Sequence, residues 1–260
     1  MTTEQSARRW WDPDGGWSAA DDTGTVLVID SWLVDEGRVR GLERHAARFG
    51  AACARFAART DAFLRAVAEA LPAHGRWFPR VELVDTGREL RLRMWLRPAP
   101  PRTSAVRLWT PPEPDRRRAP DVKGADLDHL AALRAAAVAA GADEALLLSP
   151  RGHVLEGAST SVVWWRDGTL CGPPPGPGLL PSVTRALLTG LATTAGHEVA
   201  VEQATPADLT GVPVWTLNAL HGIRPVVEGL GRRLRDGDAE DARRWQARLV
   251  ALGAAREVWR

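Results

Sequence analysis

Ten residues, Pro111 to Pro120, interrupt the chain with prolines and charges and carry no apolar periodicity. Any fold must accommodate that break, because proline fixes φ and removes a backbone donor, so neither a helix interior nor a central strand can run through it. The stretch reads as an interdomain linker at 111–120, with Arg116-Arg117-Arg118 as solvated linker charges. It leaves a domain at 1–110 and a second at 121–260.

The two halves differ in rhythm. In the first, Thr23 to Val34 is rich in β-branched residues and Asp35-Glu36-Gly37 reads as a turn. Leu42 to Ala70 has helical periodicity, as two helices broken near Thr60-Asp61 with Thr60 as a cap. Arg80–Thr86, Glu89–Leu96 and Ala105–Thr110 alternate as half-buried antiparallel strands do. In the second half, helices are expected over Leu127–Ala140, Ser182–Ala195 and Ala239–Leu252, with a helical turn at Pro206–Leu209. Strands are expected at Glu144–Leu148, Thr160–Trp165, Thr169–Cys171, Glu198–Glu202 and Val214–Leu217. Asp167-Gly168 is a strong hairpin signal. Strands mixed with helices in both halves predict an α/β (α+β) protein of two domains.

Composition narrows the class. With 45% apolar and 25% charged residues, the chain is that of a soluble globular protein, and no apolar run is long enough to span a bilayer. The N-terminal arm, with Trp10-Trp11, lacks the apolar core of a signal peptide, so a cytoplasmic setting is expected. Two cysteines, Cys53 and Cys171, form no framework, and the histidines show no ligand spacing, so no metal is assigned. A formal charge of only +2 argues against nucleic acid as a partner.

A sharper fact lies within the basic residues. Of 34 lysines and arginines, one is a lysine, Lys123. A guanidinium stays protonated at ordinary pH, whereas an amine can lose its proton and become a nucleophile. A lone lysine is therefore a candidate for amine chemistry, although a surface position that merely kept its lysine would give the same count.

The neighbourhood decides. Lys123 to Asp143, then Glu144-Ala145-Leu146-Leu147-Leu148 and Gly152-His153-Val154-Leu155-Glu156-Gly157, are followed by Asp167-Gly168-Thr169-Leu170 and Pro173-Pro174. Next come Gly178-Leu179-Leu180-Pro181-Ser182-Val183-Thr184-Arg185 and Leu217-Asn218-Ala219-Leu220, while the first half holds Leu42-Glu43-Arg44-His45-Ala46-Ala47-Arg48-Phe49. This ordered set resembles the class IV aminotransferase family, which includes branched-chain and D-amino-acid transaminases and aminodeoxychorismate lyase. The resemblance implies pyridoxal-phosphate fold type IV, with a smaller N-terminal α+β domain and a larger C-terminal mixed α/β domain. It also implies a homodimer with each active site near the subunit interface.

The resemblance makes pyridoxal 5'-phosphate the cofactor and Lys123 the Schiff-base lysine. Glu156 would face the pyridine nitrogen, because a carboxylate within hydrogen-bond reach favours its charged form. Arg48 would clamp the phosphate, as would the backbone of Val183 and Thr184 at a helix start and the Asn218-Ala219 turn. Asp30 and Ser31 on the early strand, with His221 and Arg224 after the Asn218 turn, are candidates for the substrate. The implied reaction moves an amino group between an amino acid and a keto acid.

Departures bear on the outcome. The chain has no tyrosine, whereas transaminases of the family usually place one shortly after the lysine, and Ser161 stands where the family has asparagine. Gly124-Ala125-Asp126-Leu127-Asp128 is nearer in spacing to the lyase branch. An elimination releasing an aminobenzoate-like product is therefore the alternative, and a non-catalytic family member a third.

Overall fold

Trp10 and Trp11 of the N-terminal arm lie on a strand. The computed structural model describes residues 6–230, 232–233 and 237–255, so the first five residues of that arm lie outside it. The chain divides into two compact units, 1–101 with 122–125 and 252–260, and 102–121 with 126–251. The segment 111–120 falls within the second.

In the first unit, β1 (Ala7–Asp12) and β2 (Gly16–Ala19) form a hairpin that precedes β3 (Thr25–Ser31). Asp12 accepts from the N–H groups of Asp14 and Gly15 and closes the turn. The chain continues through β4 (Val34–Asp35), β5 (Arg38–Val39), α1 (Leu42–Ala54), α2 (Asp61–Ala70), β6 (Arg76–Trp77), β7 (Arg80–Asp85) and β8 (Leu90–Leu96). The main sheet runs β2-β1-β8-β7-β3, with every pairing antiparallel. A small sheet joins β6, β4, β5 and the strand Ala254–Ala255.

The two helices bury one stripe each, as apolar spacing of three and four dictates. Helix α1 buries Leu42, His45, Ala46, Phe49 and Cys53, and α2 buries Phe63, Leu64, Val67 and Ala68. Phe63 meets the rings of Trp11, Trp17 and Phe49, which explains why the hairpin is ordered. Thr60 sits at the N-cap of α2, but its side chain makes no capping bond, so the expected cap is absent.

The second unit holds β9 (Val106–Trp109), α3 (Leu127–Ala139), β10 (Glu144–Leu148), β11 (Val154–Gly157), β12 (Ser161–Arg166) and β13 (Thr169–Gly172). There follow α4 (Val183–Thr194), β14 (Val199–Val201), a 3-10 turn at Ala207–Leu209, β15 (Val214–Asn218), β16 (Gly222–Gly229), β17 (Arg232–Arg233) and α5 (Asp238–Ala251). The sheet order is β11-β10-β9-β16-β15-β12-β13-β14, with β17 beside β16.

One expectation fails here. Strand β9 runs parallel to both β10 and β16, not antiparallel. Alternation of polar and apolar residues reports a half-buried strand but carries no information on its neighbour's direction.

Strand alternation sorts the second unit's side chains into two cores. Leu146, Val162, Trp164, Val214 and Val226 pack on one face. Val163, Leu188, Trp215, Leu217, Trp245 and Leu249 pack on the other, beneath α4 and α5. Adjacent Trp164 and Trp165 divide accordingly: Trp164 is enclosed and donates to Glu202 at 2.7 Å, while Trp165 meets Trp215 edge-on and Trp245 at a tilt.

Both cysteines are buried as free thiols. Burial pushes Cys53 up to about 12 and Cys171 up to about 11. Because the thiolate is the reactive form, neither should react with a thiol reagent such as Ellman's at pH 8 until denaturant unfolds the chain. Rapid modification of the native protein would contradict this packing.

Candidate active site

Lys123 belongs to the first unit, in the segment Val122–Ala125. Its carbonyl accepts from the N–H of Ile29 on β3 at 2.7 Å. Gly124 follows at φ +117, and a Cβ there would lie 2.9 Å from the Ile29 nitrogen, closer than real side chains approach backbone. Only glycine lets the chain run this near β3. The Lys123 backbone is thus pinned to the strand that carries Asp30.

Asp30 is completely buried and both its oxygens are occupied. Oδ1 lies 2.8 Å from His45 Nδ1, and the Nη2 and Nε of Arg48 donate to Oδ1 and Oδ2 at 2.8 Å each. The Ser31 N–H adds a bond of 2.7 Å to Oδ1. His45 and Arg48 are one helical turn apart on α1, so the His-x-x-Arg spacing presents both to one carboxylate. Burial alone would raise the Asp30 carboxyl, but the charge of Arg48 and the His45 contact outweigh it and hold it well below the usual range. Burial pushes His45 down, so it is neutral at pH 7 and donates its Nδ1 proton to Asp30. The strand residue read from sequence as facing substrate therefore fixes the plane of the Arg48 guanidinium, and Ser31 braces it.

Glu156 lies in the second unit at 5% exposure. Its Oε1 accepts from Arg117 Nη1 at 2.6 Å and from the Leu180 N–H at 3.0 Å. Gly157, next along, has no room for a Cβ, which would collide with Thr160 Oγ1. Arg117 is itself gripped by Asp115 and donates to the Gly178 carbonyl at 3.2 Å. Burial opposes its charge, but the bonds to Asp115 and Glu156 prevail and raise its pKa.

This corrects the reading of Arg116-Arg117-Arg118 as solvated linker charges. Arg116 and Arg118 are exposed, but the Arg117 side chain is buried and orients Glu156. Exposure alternates along this segment, with Asp115 and Arg117 turned inward and Arg116 and Arg118 outward. The remaining signal in the sequence was the Asp115-x-Arg117 pair.

The second unit's phosphate-side candidates lie at two linked turns. Ser182 caps α4, accepting from the Arg185 N–H at 3.2 Å, so Val183 and Thr184 form the helix's first turn. The Ser161 hydroxyl lies 2.8 Å from the Ser182 hydroxyl and donates to the Leu217 carbonyl at 3.5 Å. Ser161 thereby ties the α4 start to the end of β15, where Asn218 and Ala219 turn. Asn218 Oδ1 holds that turn through the His221 N–H at 2.8 Å.

Arg224 is two residues into β16 and donates to Thr103 Oγ1 at 3.0 Å. Asp126 closes the loop before Lys123 by accepting from the N–H groups of Arg118 and Ala119. Among the described residues, no group of three His, Cys, Asp or Glu side chains could hold a metal ion. No described helix is long and apolar enough to cross a membrane.

Comparison with known proteins bears on the fold and the family. The chain is similar in fold to a branched-chain aminotransferase of the thermophilic archaeon Thermoproteus uzoniensis, solved with norvaline, at 19% identity and TM-score 0.77, covering 96% of this chain and 99% of that one. It is similar to a fold IV transaminase of Curtobacterium pusillum, at 18% identity and TM-score 0.78, covering 95% and 98%. A hypothetical aminotransferase of Mycobacterium tuberculosis, in its apo form, gives 21% identity and TM-score 0.76 over 94% and 98%. Among curated proteins, none matches the sequence significantly. A family model described as Amino-transferase class IV matches residues 27–228, well over half the chain. The chain belongs to the class IV aminotransferases, a family of pyridoxal-phosphate enzymes.

Proposed function

We propose that the protein is a transaminase that moves an amino group between an amino acid and a keto acid, with Lys123 as its reacting amine. The observation that carries this reading is Lys123 itself: the chain's single lysine, held by its own backbone against the strand of Asp30.

The donor set fits pyridoxal phosphate. An amine suits its aldehyde, a buried carboxylate its pyridine nitrogen, and a guanidinium with a hydroxyl-bearing helix start its phosphate. When bound, the cofactor supplies an electron sink for charge developing at the substrate α-carbon. The chain's residues do the rest. Lys123 Nζ would take the proton from the α-carbon of the amino donor and, in the opposite half of the exchange, deliver one to the α-carbon of the keto acceptor, as a positioned amine can. Glu156, oriented by Arg117 and the Leu180 N–H, presents a carboxylate that favours a protonated ring nitrogen. By likeness to the family, Arg48, fixed by Asp30, is the phosphate-binding arginine, and the first turn of α4 offers backbone N–H groups suited to an anion. By likeness to the family, the working unit is a homodimer.

The missing tyrosine favours a second reading, elimination as in the lyase branch. One assay separates the two. A transaminase consumes a keto acid with every turnover, so omitting the acceptor stops product formation after one equivalent. Sustained turnover of an aminodeoxychorismate-like substrate without a keto acid would replace the transaminase reading with the lyase one.

A further inference from the structure

We propose that Glu144 is a positioning residue: through Ser159 it sets the turn that joins Glu156 to Ser161, and so aligns the two ends of the cofactor site. The role rests on the pyridoxal-phosphate reading of that site. Glu144 opens β10 at 1% exposure. The charges of Arg134 and Arg224 reach it, but its hydrogen bonds come from uncharged donors. A buried carboxylate is costly unless donors surround it, so the destination of those bonds shows what the residue is for.

They lead to a single turn. Glu144 Oε1 accepts from the Ala145 N–H at 3.1 Å, while Oε2 accepts from the Ser159 N–H at 3.2 Å and from the Ser159 hydroxyl. Burial raises the Glu144 carboxyl, and the Ser159 hydroxyl draws it back down. Ser159 is the middle residue of the connection 158–160 between β11 and β12. The same connection is tied by its backbone, since the Ala158 N–H donates to the Ala145 carbonyl at 2.9 Å and the Gly157 N–H to the Thr160 carbonyl at 2.7 Å. A Cβ on Gly157 would lie 3.0 Å from Glu144 Cγ, so the Glu144 stem packs against the residue that follows Glu156.

The turn also reaches the phosphate side. The Ser159 carbonyl accepts from Asn218 Nδ2 at 3.5 Å, and the Oδ1 of the same asparagine holds the His221 N–H. Ser161, where the chain leaves the turn, touches the Ser182 hydroxyl at the start of α4. Glu156 therefore enters the turn at one end, and both phosphate-side elements are bonded to the other. Glu144 fixes the spacing between them. A rigid ligand that engages both ends registers an error in that spacing as lost affinity, whereas a ligand held at one end does not.

The two-ended probe is pyridoxine 5'-phosphate, which has the cofactor's ring and phosphate but an alcohol in place of the aldehyde, so binding needs no bond to Lys123. Inorganic phosphate is the one-ended probe. Both are titrated calorimetrically, well below the unfolding midpoint of each protein. Glu144→Ala is expected to weaken pyridoxine 5'-phosphate by about tenfold or more, with inorganic phosphate held within about twofold. Ser159→Ala removes one hydroxyl from a half-buried position and should cost about threefold, and the double variant should bind no more weakly than Glu144→Ala. Should Glu144→Ala not fold, Ser159→Ala carries the comparison. Unchanged affinity for pyridoxine 5'-phosphate in the folded variants, or a loss matched by inorganic phosphate, overturns the positioning role and leaves the cofactor reading standing. Wild type that takes up neither pyridoxine 5'-phosphate nor pyridoxal phosphate overturns the cofactor reading, and this role with it.

Discussion

Lys123→Ala lowers turnover by at least about a thousandfold, while the denaturation midpoint stays within about 1 kcal/mol of wild type. The two effects separate because backbone contacts anchor this residue. The bond to Ile29 uses the Lys123 carbonyl, and the close approach to β3 depends on Gly124. Alanine keeps both and removes the side chain that bears the amine. The 33 arginines cannot substitute, since a guanidinium does not give up its proton at working pH. Lys123→Arg should be as inactive as Lys123→Ala, which sets chemistry apart from charge. Activity of either variant within tenfold of wild type would show that the amine is not the reacting group.

The largest loss of stability is expected from Asp30→Asn. The carboxylate bonds Arg48 twice and His45 once with no exposure to water. Removing one member of a buried ion pair leaves the other desolvated and unpaired, typically at a cost of about 3–5 kcal/mol. Arg48 keeps a little solvent contact, so the lower end, about 3 kcal/mol, is expected. The pH dependence follows. Asp30 is depressed in the folded state, so its contribution is present above its unfolded value, about 3.9, and is lost as pH falls through the lower folded value. His45 is also depressed, so its part is present above about 6.5 and declines as pH falls below that. Urea titrations at pH 7, 4 and 2 should show wild type losing stability on acidification and Asp30→Asn losing less. Equal acid sensitivity of the two proteins would mean that the buried carboxylate does not govern acid unfolding.

What the sequence disclosed, and what it hid, follows from the range of each interaction. The Asp167-Gly168 hairpin was legible because both residues adopt positive φ and join Arg166 to Thr169 in a two-residue turn, a local requirement. The start of α4 was legible for the same reason, since Ser182 caps a turn three residues long. The singular lysine was visible by counting. Arg117 was hidden because its partners, Glu156 and the Gly178 carbonyl, are 39 and 61 residues away and a linker-like composition gives no period to read. Asp30 was placed on the right strand, but its burial depends on α1 folding across it, which alternation within β3 does not encode. The β1–β2 hairpin escaped because its ordering comes from Phe63 packing on Trp11 and Trp17, far along the chain.

The most direct test of the central claim is to incubate the purified protein with pyridoxal phosphate, record its visible spectrum, reduce it with borohydride and map the peptides by mass spectrometry. A visible band abolished by reduction, with a pyridoxyl adduct on the peptide containing Lys123, is the predicted result. A colourless protein that yields no adduct, or one labelled only at its terminal amine, would contradict the assignment of Lys123 as the cofactor's attachment point.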